Sequence, residues 1–129
     1  MTNTDPQPSS PSEGGLYLVV MDEMVVAEDL RGAILEWNAA AHVAIAADLA
    51  EAELIAENAG RPLWGALVMT SPEVYLSSRL CEALAANGRQ GILMGDEAER
   101  TGPSPHFRVL PRPFSTSYVH AQLVLPAPA

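Results

Sequence analysis

Side chains able to hold a cation, accept a phosphoryl group or neutralise an anion stand at the ends of four apolar runs in this chain. Met21-Asp22-Glu23 closes Leu16-Tyr17-Leu18-Val19-Val20, and Thr70-Ser71-Pro72 closes Leu67-Val68-Met69. Gly95-Asp96 closes the run that begins at Gly91, and Pro111-Arg112-Pro113-Phe114 closes the run that begins at His106. Asp22 and Glu23 are oxygen ligands of the kind a hard cation such as Mg²⁺ takes. Thr70 carries a hydroxyl that a Ser/Thr kinase could modify, although the commoner role of a strand-end threonine is to satisfy nearby backbone groups. Arg112 keeps its positive charge at any physiological pH. Asp22 with Glu23 reads either as a cation site completed by backbone carbonyls or, more commonly, as an acid paired with Arg112. Such a pair would stand in for metal and phosphate charges and lock one conformation.

Other chemistries lack their first requirement. His42, His106 and His120 are scattered without metal-ligand spacing; His106 could act as a pH sensor near Asp96 and Glu97, but an ordinary surface histidine is the plainer reading. Cys81 is the single cysteine, which rules out an internal disulfide and a cysteine-based zinc site; it falls beside Leu80 and Leu84 as a buried, inert thiol. The sequence has no Gly-x-Gly-x-x-Gly, no P-loop and no Gly-x-Ser-x-Gly. Net charge is −9, with seven arginines and no lysine, so the clustered cations that nucleic acid or an anionic membrane would require are missing. Basic or apolar protein surfaces are better partners.

The elements that must position these residues follow from apolar patterning. With 129 residues, 48% of them hydrophobic, the chain fits one domain with its own core. Residues 1–15 are rich in Pro, Ser and acids, including Ser9, Ser10 and Ser12, and read as a disordered lead that lacks the basic and apolar regions of a targeting signal. No run approaches the length of a membrane helix. A soluble, cytoplasmic protein is expected. From Leu16 strand and helix alternate: strands over 16–20, 42–46, 64–69, 91–94 and 106–110, and helices over 25–37, 48–58, 71–87 and 115–123. Asp48 with Glu51 forms a capping box, and Ser71-Pro72-Glu73 is a helix start. The stretch from Gly95 to His106 supports only one or two helical turns before its prolines end them. Trp37 and Trp64 finish the helix–sheet core at its lower edge. A domain over 16–125 and a tail over 126–129 complete the layout. Alternation with short connections implies a parallel sheet covered on both faces, with its functional rim outside the carboxyl ends of the strands. That rule brings Asp22, Thr70, Gly95 and Arg112 together.

An acidic strand end, a central strand ending at a would-be nucleophile, and a late strand ending in cation-Pro-Phe together resemble the receiver domain of response regulators. The resemblance implies a doubly wound, five-stranded parallel sheet in the order 2-1-3-4-5. It covers nearly all of residues 16–123. It implies that the acidic pair falls on Met21 and Asp22, the phosphoacceptor on Thr70, the hydroxyl position on Gly95, the lysine position on Arg112 and the aromatic switch position on Val109. Only Asp22 keeps the matching group. A threonine cannot form an acyl phosphate, and a thioether is a poor ligand for a hard cation. The shortened fourth helix resembles that of a compact subset of receivers.

The resemblance implies a non-phosphorylatable, stand-alone receiver-like module of a bacterial two-component pathway, acting by docking and not as an enzyme. A histidine kinase or another regulator is the expected partner, a homodimer an expected state, and the chain's end soon after its last helix implies output through a partner. The interaction face would include Phe107, Val109, Tyr118 and Gln122. No cofactor is expected, since any Mg²⁺ would have Asp22 alone from the acidic pair. The alternatives are an atypical Mg²⁺-dependent phospho-switch using Thr70, Glu23 or Asp96, and a rim remade to bind a small ligand.

Overall fold

A computed structural model describes residues 15–112 and 114–124, the side chain of Val124 excepted. The expected lead through Glu13 and Gly14, with Ser9, Ser10 and Ser12, lies outside the described residues, as do Pro113 and the expected tail. Gly15, assigned above to the lead, belongs to the fold. It is buried, its carbonyl accepts from the His42 N–H at 3.2 Å, and the Trp64 ring lies directly against it.

Five strands form one parallel sheet in the order β2-β1-β3-β4-β5, where β1 is Leu16–Val20, β2 His42–Ala46, β3 Leu63–Met69, β4 Gly91–Met94 and β5 Phe107–Val109. The order predicted from the resemblance is the order found. β1 and β3 sit centrally, and every side chain of β1 is buried, as a strand covered on both faces requires. Period-two alternation then sorts side chains between two cores. Leu18, Val20, Ala66, Val68 and Leu93 face one side, and Tyr17, Val19, Leu67, Ile92 and Met94 the other.

The first core is covered by α2 (Leu49–Asn58), α3 (Pro72–Leu76), α4 (Arg79–Ala86) and α5 (Asp96–Thr101), through Ala52, Tyr75, Leu80, Leu84 and Ala98. The second is covered by α1 (Met24–Trp37) and α6 (Thr116–Val124), through Ala27, Leu30, Ile34 and Val119. Trp37 meets Tyr17 edge-on at 5.7 Å, and Arg89 lies 3.8 Å over the Trp64 ring, which places both tryptophans at the amino end of the sheet.

The helix predicted over 71–87 is two helices. Ser71 caps α3, its hydroxyl accepting from the Val74 N–H at 3.3 Å, with Pro72 in the first turn. The chain breaks at Ser77-Ser78. Ser78 turns extended, donates to the Tyr75 carbonyl at 2.6 Å and accepts from the Cys81 N–H at 3.1 Å. Serine side chains compete with helical backbone bonds in this way, and here the competition wins. Glu53 on α2 seals the new start by accepting from the Arg79 and Leu80 N–H groups at 2.8 and 3.2 Å. The short helix expected fourth is therefore α5, and the final helix is α6.

Candidate functional site

The carboxyl ends of the strands carry the rim that topology predicted. Met21 directly follows β1, and its N–H donates to the Ala46 carbonyl of β2 at 2.9 Å. Its side chain is 4% exposed and packs in the second core. Asp22 follows, exposed in the turn before α1. β3 ends at Met69, and Thr70 stands half-buried in the turn to α3. β4 ends at Met94, and Gly95 opens α5 with φ +117°, a backbone region that penalises any side chain. The hydroxyl expected of a receiver at this point is thus excluded by the local backbone as well as by the residue type.

Thr70 separates two hollows. One, about 430 Å³, lies among the ends of β1, β2 and β3, with Val20, Met21, Val68 and Met69 lining it beside Asp22 and Asp48. The other, about 480 Å³, lies between the ends of β3 and β4, with Thr70, Ser71, Gly95, Asp96, Glu97 and Arg100. Thr70 lines both. A third hollow, about 470 Å³, opens on the face formed by α5, β5 and α6, where Val109, Tyr118 and Gln122 line it with Arg108, Pro103 and Pro111.

Arg112 does not pair with Asp22. Its guanidinium is held by the Glu99 carboxylate at 3.0 Å and by Asp96 through a short ion pair, and its backbone N–H also donates to Glu99 at 3.2 Å. Glu99 first, then Asp96, raises the Arg112 pKa above its ordinary value. The reason is proximity: the loop after β5 passes over α5, and residues 96 and 99 share one helical face. That i, i+3 spacing was the sequence signal for this clasp. It ties α5 to the β5–α6 loop and supplies Arg112 with the negative partners expected of Asp22.

Other expectations shift as well. Phe107 is 1% exposed and meets Tyr75 edge-on at 6.2 Å, so its side chain is core and not contact face. Tyr118 is exposed, and Val109 and Gln122 are partly buried along the third hollow. His106 sits at the amino end of β5, opposite the edge that carries Asp96 and Glu97, because Phe107 is in register with Gly91 at the start of β4. His42 is exposed at the start of β2, and His120 hydrogen-bonds the Ala33 carbonyl of α1 at 2.7 Å. Cys81 is buried and in no disulfide among the described residues, the burial being that read from the sequence.

The residues at the rim do not fit the oxygen shell of Mg²⁺. Asp22 offers one carboxylate, Met21 is packed in the core, and Thr70 presents a neutral hydroxyl and no acid. Among the described residues no three His, Cys, Asp or Glu side chains converge as a metal group would need. No helix there is long and apolar enough to cross a membrane.

The chain matches no protein-family model and no curated protein. Among solved structures it is similar to the receiver domain of the hybrid histidine kinase CckA. The TM-score is 0.59 at 21% identity, over 84% of this chain and 95% of that one. It is also similar to a response regulator receiver protein from Sinorhizobium medicae WSM419, with a TM-score of 0.60 at 15% identity over 86% and 94% of the two chains. At such identities the likeness establishes a shared fold: this chain has the receiver fold.

Proposed function

We propose that the protein is a receiver-fold signalling module that works by protein docking without accepting phosphate. The observation that carries this reading is the donor set at the rim. The central strand ends in Thr70, Met21 is withdrawn into the core, and Arg112 is engaged by Asp96 and Glu99. An acyl phosphate requires a carboxylate nucleophile, and a metal to neutralise the incoming phosphoryl group requires several ligands converging on one point, whereas among the described residues no three His, Cys, Asp or Glu side chains converge. The site chemistry supports neither.

Docking is supported by the third hollow, where Tyr118 lies exposed beside Val109, Gln122 and Arg108. Tyrosine and arginine are enriched at the energetic centres of interfaces. A partner from a two-component pathway, such as a histidine kinase or another regulator, and a second copy of this chain are the candidates. Intact mass after incubation with acetyl phosphate and Mg²⁺ tests the first half of the reading. The mass should stay unchanged; a stable gain of one phosphoryl group would overturn it.

A further inference from the structure

We propose that the hollow among the ends of β1, β2 and β3 is a binding site for a small organic cation, an amine with a short apolar body. The sheet order reverses here, with β2 on one side of β1 and β3 on the other, and open α/β sheets place ligands at such switch points. At about 430 Å³ the hollow is within the size range of small-molecule sites. Its lining is apolar in Val20, Met21, Leu49, Val68, Met69 and Val74, so a ligand carrying charge alone would leave that lining unused.

The charge of the ligand follows from what surrounds the apolar part. Asp22 and Asp48 both line the hollow, and among the described residues no arginine or histidine does. The amino end of α2 opens here too and would by itself favour an anion, with a pole of roughly half a positive charge. Two carboxylates already cover it: Asp48 accepts from the Glu51 N–H at 2.9 Å, and Glu51 accepts from the Ala47 N–H at 2.7 Å. With Asp22 added, the negative charge exceeds the helix pole several-fold. An anion is repelled and a cation attracted. Thr70 borders the same space and can accept a hydrogen bond from an ammonium group. The inference rests on this hollow alone and stands or falls independently of the docking reading.

The test compares 2-phenylethylamine with the neutral 2-phenylethanol and the anionic 3-phenylpropionate, by amide NMR titration of the full chain. The amine should shift amides of residues 20–22, 47–50 and 68–70, the alcohol should bind more weakly, and the acid should not bind. Asp22 is exposed and its side chain makes no hydrogen bond among the described residues, so Asp22→Asn should keep the thermal midpoint yet weaken the amine roughly tenfold or more. Ala50→Phe, at an exposed position lining the hollow, should fill it and remove binding. No response to the amine, equal binding of amine and alcohol, or full binding by Asp22→Asn would each overturn the proposal.

Discussion

Thr70, Met21 and Gly95 differ from a phosphate-accepting rim in ways that reinforce one another. Thr70 lacks the carboxylate; Met21 packs its side chain in the second core, where a carboxylate would be largely buried; Gly95 has a backbone that disfavours the missing hydroxyl residue. Restoring any one of them leaves the other two. A different residue gives the sharpest physical prediction. Tyr75 is fully buried, and its hydroxyl ends against Gly91 and Cys81. Burial, first of all, raises its pKa far above the ordinary value of 10, and Tyr17 is raised for the same reason. The folded state therefore keeps protons that the unfolded state loses above pH 10. The Tyr75 contribution to stability is level below that pH and falls above it, by about 1.4 kcal/mol per pH unit. Tyr75→Phe should change stability at pH 7 by no more than about 1 kcal/mol, and should flatten the alkaline slope by close to one proton. Denaturant unfolding between pH 9 and pH 12 measures this. An unchanged slope would mean that Tyr75 ionises freely in the folded protein.

At the scale of elements, the break between α3 and α4 shows what a one-dimensional pattern can miss. Apolar residues recur every four positions through Leu76, Leu80 and Leu84, and that spacing cannot register that the Ser78 hydroxyl prefers two local bonds to helix continuation. The two serines were the available signal, and Ser78 carries the consequence. Its hydroxyl caps α4 from a position only 7% exposed, with Glu53 covering the adjoining N–H groups. Ser78→Ala should destabilise the fold by about 0.5–2 kcal/mol, the usual cost of an N-cap. Thermal or urea unfolding reads that loss, and a neutral substitution would show that Glu53 alone holds the helix start. The start of β4 is set by a close approach of another kind. A Cβ on Gly91 would lie 2.5 Å from the Tyr75 hydroxyl, so this strand must begin with glycine if the tyrosine is to cross beneath it.

For the molecule as a whole, the strand runs, the sheet order and the rim positions of Asp22, Thr70, Gly95 and Arg112 were legible in the sequence. Strands declare themselves by unbroken apolar runs, and the carboxyl edge follows from parallel topology. Which rim charges pair was not legible. The pairing of Arg112 with Asp96 and Glu99 in place of Asp22 depends on how a loop crosses a short helix, and Phe107 joined the core because β5 alternates about a register that apolar patterning does not specify. The same pairing leaves Asp22 beside the apolar hollow, with no ion pair among the described residues. The most direct test is an amide NMR titration with Mg²⁺ followed by beryllofluoride, a mimic of a bound phosphoryl group. A docking module with a fixed rim predicts no saturable shifts at Asp22, Thr70, Gly95 or Arg112 and no movement of α5. Saturable shifts at those four residues, spreading into α5 and β5, would contradict it and make the rim a phosphate-type switch.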